Sequence, residues 1–156
     1  MGAISGIDIA LWDIAGKVAG LPLYRLLGAN SDKVKGYASA GFYAPEKSVD
    51  DLKREMEGYM AKGYTAFKMK VGRSRNNIGM PHRYVKKGDF NISFEEDMAR
   101  VAAVRETIGK DGVLMVDMNC TWDVDAVLAA EKYFDEYNIY WIEEPSRSDD
   151  VAGYAK

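Results

Sequence analysis

The chain has 156 residues, of which 47% are hydrophobic and 29% are charged, and its net charge is −3. This composition is typical of a globular domain with a sizeable core, and the scattered lysines and arginines argue against a nucleic-acid or membrane-surface partner. The single cysteine, Cys120, excludes an internal disulfide and suits a cytoplasmic protein. Asp8 and Asp13 interrupt the apolar N-terminal run, so we expect neither a signal peptide nor a membrane span there.

Helical and strand patterns alternate along the chain. Ser48 precedes an amphipathic run as an N-cap, and Ser93 with Glu96 forms a capping box before another. The predicted elements, in chain order, are helices at 3–18 and 22–28, a strand at 34–40, a helix at 48–63, a strand at 65–72, a polar loop at 73–92, a helix at 93–109, a strand at 112–119, a helix at 123–137 and a strand at 139–145.

The alternation of apolar strands with helices predicts an α/β fold with a parallel sheet covered by helices. Four βα units can form half of a closed (β/α)₈ barrel or an open doubly wound sheet. The turns after the strands contain no G-x-G-x-x-G and no Walker A sequence, which makes a nucleotide-binding sheet the weaker choice.

Polar residues lie unexpectedly within or just after the predicted strands. Side chains alternate across a strand, so Lys68 should share a face with Lys70, and Asp117 with Asn119. Glu143 lies 26 residues after Asp117, about one βα repeat, and we expect the two carboxylates to be neighbours on adjacent strands. Two facing carboxylates need a cation between them, and an all-oxygen pair favours Mg²⁺ over Zn²⁺.

The two lysines complete a plausible site for acid–base chemistry. A lysine that is partly desolvated, beside a second ammonium group and facing a divalent metal, has a lowered pKa and can act as a general base. Such a base opposite a metal suits removal of the proton alpha to a carboxylate, giving a metal-stabilised enolate. The alternative is that K-x-K lies on a solvated edge strand and the carboxylates merely end their strands.

Three stretches resemble the enolase superfamily in its mandelate racemase/muconate lactonizing enzyme branch. AISGIDIALWDIAGKVAGLPLYRLLG, at 3–28, is similar to the first signature of that branch. LMVDMNCTWDVDAVLAAEKYFDEYNIYWIEEP, at 114–145, is similar to the second signature in spacing, with a departure at Val127. FKMK supplies the K-x-K of the second barrel strand.

The resemblance implies a role for each of the polar residues. Lys70 corresponds to the catalytic base, and Lys68 to the auxiliary lysine that lowers its pKa and binds the substrate carboxylate. Asp117 and Glu143 correspond to Mg²⁺ ligands, and Asn119 to a neighbour that supports metal and substrate. The implied substrate is a small hydroxy-acid or sugar-acid carboxylate, and the implied reaction is an acid-sugar dehydration. A racemase, epimerase or cycloisomerase of the same superfamily is the alternative.

The resemblance also implies how the chain is organised. Residues 1–30 would be a helical segment linking an N-terminal cap domain to the barrel, and residues 31–156 would be the first half of a TIM (β/α)₈ barrel. A third metal carboxylate and the acid or base on the opposite face would lie on later strands. We therefore also consider a catalytically inactive truncated fragment, which could pair as a homo-oligomer, and an α/β binding module without chemistry.

Overall fold

The computed structural model describes residues 2–44, 46–73 and 92–156, and the chain divides into two compact units, Met1–Lys35 and Gly36–Lys156. The first unit contains helices α1 (Gly2–Ala19) and α2 (Leu23–Leu26), which contact each other. The connection between them is tight, since the Leu21 N–H donates to the Gly16 carbonyl over 3.0 Å. Both helices occur where the sequence predicts them.

The second unit consists of alternating strands and helices. Its elements are β1 (Ala38–Ala40), α3 (Val49–Met60), β2 (Ala66–Lys70), α4 (Phe94–Ile108), β3 (Val113–Asp117), α5 (Val124–Glu136), β4 (Ile139–Glu143) and α6 (Val151–Tyr154).

The four strands form one parallel sheet in the order β1-β2-β3-β4. Each new strand is added on the same side of the preceding one, whereas a doubly wound sheet reverses its strand order at a switch point. The order therefore agrees with the predicted partial (β/α)₈ barrel and excludes the doubly wound alternative for the described strands.

The two faces of the sheet differ in chemistry because side chains alternate along each strand. One face of β2 and β3 is apolar and belongs to the core that includes side chains of α3 and α4. The buried residues of this core include Phe67, Met69, Val71, Leu114, Val116 and Met118 from the strands and their ends, and Leu52, Met56, Val101 and Val104 from the helices. The other face carries Lys68, Lys70 and Asp117.

Capping hydrogen bonds fix where the helices of the second unit begin. Both α3 and α4 begin with a complete capping box: Ser48 is paired with Asp51 and Ser93 with Glu96. The Asp123 side chain accepts from the Ala126 N–H at the start of α5. These caps satisfy backbone N–H groups that have no acceptor within the helix, and they fix the residue at which each helix begins.

The structure differs from the sequence prediction mainly at strand ends. The strand predicted at 34–40 is confined to Ala38–Ala40, because pairing with β2 begins at Ala38 opposite Phe67. The strand predicted at 112–119 ends at Asp117, and the short helix α6 is not in the prediction. Within the described residues, no helix is both long enough and apolar enough to cross a bilayer.

Candidate active site

Three functional candidates lie in one row across the C-terminal ends of adjacent strands. Lys70 of β2 is the aligned partner of Asp117 of β3, and Asp117 is the aligned partner of Glu143 of β4. Lys68 lies two residues before Lys70, on the same face of β2. The sequence predicts that these four side chains meet, and the structure brings them together.

The four side chains form two linked ion pairs. Lys70 Nζ donates to Asp117 Oδ2. Lys68 Nζ reaches across β3 and lies 2.6 Å from Glu143 Oε1 and 2.7 Å from Oε2. The same nitrogen is 3.6 Å from Asp117 Oδ2. Lys68 Nζ therefore lies close to both carboxylates, as expected for two acidic side chains that together bind a cation.

The cluster is largely withdrawn from water. The Asp117 side chain is 1% exposed, that of Lys68 is 9% exposed and that of Lys70 is 14% exposed, whereas Glu143 is 34% exposed. The two ammonium groups also lie over aromatic rings, Lys68 at 5.3 Å from the Tyr37 centroid and Lys70 at 5.6 Å from the Phe42 centroid. Such surroundings strengthen electrostatic interactions relative to water.

Burial and charge act in opposite directions on the ionisation of these groups. Burial by itself raises the pKa of Asp117, but the hydrogen bond from Lys70 and the backbone N–H of Asn119 outweigh it, so the pKa is lowered. Burial by itself lowers the pKa of Lys68, but hydrogen bonds to Glu143 and Tyr37 and the nearby carboxylates outweigh it, so the pKa is raised. The Lys68 ammonium group therefore stays charged beside Lys70.

Asn119 contacts the site through a turn and not through strand alternation. The strand ends at Asp117. Asn119 and its neighbour Cys120 both have a positive φ, of 51° and 59° respectively. The Asn119 N–H donates to Asp117 Oδ1 over 2.9 Å, and its side-chain amide donates to Glu144 Oε2 over 3.1 Å. Asn119 thus holds the carboxylate of Asp117, but it lies beyond the regular strand, where strand alternation does not set the direction of its side chain.

Arg73 is the first residue of the predicted polar loop 73–92. Its Nη2 donates to Asn119 Oδ1 over 3.2 Å, and its guanidinium carbon is 5.8 Å from the centre of the Tyr43 ring. Among the described residues, its Nη1 is buried without a hydrogen-bond partner. Residues 74–91, including His82, lie outside the described residues.

A buried polar group next to the site was not anticipated from the sequence. Asp97 and Arg100 of α4 form an ion pair, with Arg100 Nη1 3.0 Å from Asp97 Oδ1. The Tyr43 hydroxyl donates to Asp97. In the sequence, Asp97 and Arg100 have the spacing of an ordinary surface pair on a helix, and only their burial distinguishes them.

The donor set fits part of a site for a hard divalent cation. Asp117 and Glu143 supply carboxylate oxygens from adjacent strands, and these are ligands that Mg²⁺ prefers. The described residues contain no group of three histidine, cysteine, aspartate or glutamate side chains that could hold a metal. The two carboxylates therefore fit as two ligands of a site and not as a complete one.

Comparison with known proteins identifies the family to which the chain belongs. The profile of the family described as "Enolase C-terminal domain-like" matches residues 51–156, and that of "Mandelate racemase / muconate lactonizing enzyme, N-terminal domain" matches residues 1–28. The chain belongs to the enolase superfamily, in its mandelate racemase/muconate lactonizing enzyme branch. The resemblance seen in the sequence is thereby confirmed.

Members of the superfamily resemble the chain along nearly its whole length. The chain is 38% identical to the 3,6-anhydro-alpha-L-galactonate cycloisomerase of Streptomyces coelicolor, over 99% of this chain and 37% of that protein. The crystal structure of a racemase from Streptomyces coelicolor with bound magnesium has a TM-score of 0.79 and 38% identity, over 98% of this chain and 40% of that one.

A dehydratase structure is also similar. The L-talarate dehydratase of a Polaromonas species, complexed with Mg and L-glucarate, has a TM-score of 0.74 and 34% identity, over 95% of this chain and 36% of that one. The chain thus spans between about a third and two fifths of the length of these superfamily members.

Proposed function

We propose that this chain carries part of the active site of an Mg²⁺-dependent enzyme that removes the alpha proton of a hydroxy-acid or sugar-acid carboxylate, most specifically an acid-sugar dehydratase. The observation that carries the proposal is the cluster of Lys68, Lys70, Asp117 and Glu143, which is largely buried at the C-terminal ends of three adjacent parallel strands. This end of an α/β sheet is where such folds bind substrates. The related dehydratase, racemase and cycloisomerase support the same class of reaction.

The proposed roles follow from the contacts. Asp117 and Glu143 would hold Mg²⁺, because they are the two acidic side chains that share a cationic neighbour on this face. When bound, Mg²⁺ would supply a fixed positive charge that stabilises the negative charge developing on the substrate carboxylate. Asn119 would keep Asp117 oriented through the hydrogen bond from its backbone N–H.

The two lysines would bind the substrate and move the proton. Lys70 Nζ, as a free amine, would accept the alpha proton while the electron pair of the C–H bond passes into the carboxylate. Lys68 Nζ would remain protonated and bind a carboxylate oxygen, which agrees with its raised pKa. In a dehydration, the C–O bond of the beta-hydroxyl then breaks, and the hydroxyl leaves as water after taking up a proton.

Other activities use the same first step. A racemase or epimerase would return a proton to the alpha carbon. A cycloisomerase would use the same electron pair to break the bond between the beta carbon and a ring oxygen, which opens the ring and leaves that oxygen to take up a proton. A catalytically inactive fragment and a non-catalytic α/β binding module remain the competing proposals, because the activity of the whole protein depends on more than these strands.

We also propose that residues 1–30 are the segment between a cap domain and the barrel, and that residues 31–156 are the first half of the barrel. The match of residues 1–28 to an N-terminal-domain profile and the boundary of the compact units at Lys35 support this division.

Proton exchange at the substrate's alpha carbon tests the proposed function. The 156-residue chain, and a chimera in which it replaces the matching segment of the Streptomyces coelicolor cycloisomerase, would be incubated in D₂O with a panel of sugar acids and followed by proton NMR. We expect Mg²⁺-dependent exchange that is lost in Lys70→Ala. Lys110→Ala is the matched control, since Lys110 is exposed in the turn before β3, at the opposite end of the sheet. Absence of exchange with every acid in a folded chimera would contradict the proposal and favour the inactive or binding alternatives.

A further inference from the structure

Two charged residues of α4, Asp97 and Arg100, bind the backbone at the ends of β1 and β2. The Asp97 side chain is 1% exposed and the Arg100 side chain is 12% exposed. A buried pair of this kind loses its hydration, and this loss cancels much of the attraction between the charges. The pair is therefore a poor candidate for a purely stabilising contact, and its remaining partners show what else it does.

Arg100 joins two strands at the point where the shorter one ends. Its Nη2 donates to the Gly41 carbonyl over 2.8 Å, and its Nη1 donates to the Lys70 carbonyl over 3.1 Å. Because β1 ends at Ala40, the Lys70 carbonyl lies beyond the last β1–β2 pair in the ladder. The guanidinium group takes the place of the missing strand partner.

Asp97 binds the backbone two residues after Lys70, at Gly72. Its Oδ2 accepts from the Gly72 N–H over 2.7 Å, while the Val71 N–H donates to the Asp117 carbonyl over 3.1 Å. Three successive residues, Lys70 to Gly72, are thus fixed alternately by α4 and by β3. The Tyr43 ring covers Arg100, with its centre 3.9 Å from the guanidinium carbon, and the Tyr43 hydroxyl donates to Asp97.

We propose that Asp97 and Arg100 are positioning residues that hold the backbone of Lys70 so that its ammonium group faces Asp117. The part of this proposal that concerns catalysis rests on the proposed function. The part that concerns the position of the strand end does not, because it depends only on the contacts of α4 with Lys70 and Gly72.

Arg105, on the same helix, provides a matched control. Like Arg100, it binds backbone carbonyls: those of Gly109 and Gly112 over 2.7 Å each, of Tyr137 over 2.8 Å and of Asn138 over 3.0 Å. These carbonyls precede β3 and β4, at the end of the sheet opposite to Lys70. Arg105→Gln therefore removes comparable hydrogen bonds without touching the site end.

Backbone amide hydrogen exchange in the 156-residue chain tests the structural part. In Arg100→Gln we expect the amides of Val71 and Gly72 to exchange at least about tenfold faster, relative to the amide of Leu114, than in the parent chain. In Arg105→Gln this ratio should stay unchanged, although the overall stability falls. Equal changes of the ratio in the two variants, or no change in either, would overturn the proposal. Asp97→Asn, which keeps an acceptor for the Gly72 N–H, serves if Arg100→Gln does not fold.

Alpha-proton exchange in the chimera tests the catalytic part. We expect Arg100→Gln to lower kcat about tenfold or more with KM within a factor of about two, and Arg100→Lys to restore part of the loss, since a misplaced base slows proton transfer more than it weakens binding. Arg105→Gln should leave both constants unchanged. If the parent chimera is active and the folded Arg100→Gln chimera has the same kcat, the positioning of Lys70 is refuted. If the parent chimera shows no exchange, the proposed function is refuted instead.

Discussion

Lys68 of β2 and Glu143 of β4 form an ion pair that passes over the intervening strand β3, with 2.6 Å between Nζ and Oε1. The ammonium group also lies 3.6 Å from Asp117 Oδ2, on the strand that it crosses. Two carboxylates on neighbouring strands thus share one lysine, while Lys70 pairs with Asp117 from its own strand position. The lysines supply positive charge that offsets the repulsion between these two adjacent acidic groups.

The shared charge predicts that Mg²⁺ can replace a lysine. Lys70→Met should lower the free energy of unfolding by up to about 3 kcal/mol, because Asp117 loses its closest cation and is buried. Millimolar MgCl₂ should restore more stability to this variant than it adds to the parent chain, as measured by urea unfolding. Lys53→Met is the control, since Lys53 pairs with Glu106 on the exposed surface and should show neither effect. Equal stabilisation of both variants by Mg²⁺ would contradict the prediction that Mg²⁺ replaces the charge of Lys70.

Substitution of either proposed metal ligand should weaken Mg²⁺ binding more than substitution of the neighbouring Glu144. Asp117→Asn and Glu143→Gln should each weaken Mg²⁺ binding more than about tenfold, since loss of a ligand exceeds the usual cost of altering its supporting partners. Glu144→Gln should bind Mg²⁺ nearly as the parent does, because glutamine can still accept the hydrogen bond from Asn119 Nδ2. Isothermal titration of the chain with MgCl₂ measures the three affinities. If Glu144→Gln weakened Mg²⁺ binding as much as Glu143→Gln does, the assignment of Glu143 as the metal ligand would be contradicted.

Gly72 should be intolerant of a side chain because of both its backbone and its neighbours. Its φ is +86°, and an added Cβ would lie 2.4 Å from Thr121 Oγ1 and 3.1 Å from Trp122 Nε1. Gly63 has a similar φ of +87°, but nothing lies within 4 Å of its added Cβ. Gly63→Ala should therefore cost about 1–2 kcal/mol of backbone strain alone. Gly72→Ala should cost roughly 1–3 kcal/mol more through overpacking. Urea unfolding compares them, and equal losses would show that the neighbours of Gly72 move aside freely.

The cap of α3 should make stability depend on pH in acid. A hydrogen bond from the Ser48 hydroxyl, together with the Ser48 backbone N–H and Arg54, lowers the pKa of Asp51 from 3.8 to about 2. A lowered folded-state pKa means that the carboxylate stabilises the fold fully above about pH 4, and that this contribution is lost as the pH falls toward 2.

The stability difference between the parent chain and Asp51→Asn should therefore shrink as the pH falls from about 4 to about 2, as followed by urea unfolding at each pH. Ser48→Ala should flatten the same pH dependence, because it removes the hydroxyl that donates to the Asp51 carboxylate. A difference that stays constant over this range would show that the cap does not depend on the charge of Asp51.

Most of the secondary structure could be predicted because its causes are local. The helix at 93–109 is observed at Phe94–Ile108, and the capping box of Ser93 and Glu96 that marks its start is formed. The strand at 65–72 is observed at Ala66–Lys70. The predicted and observed bounds differ mainly at the ends of strands, where local rules stop. Asn119 and Glu144 follow the last paired residues of β3 and β4 in left-handed conformations, where strand alternation no longer sets the direction of a side chain.

The sequence by itself determined the order of the elements as far as β4, the barrel-like βα repeat and the identity of the polar residues at the strand ends, because periodicity, caps and spacing depend on neighbouring residues. Only the tertiary structure decided that Lys68 reaches Glu143 across β3 and that Asp97 and Arg100 hold the strand end behind Lys70. Such contacts join residues distant in the chain, and their strength depends on burial, which excludes the water that would otherwise separate the charges.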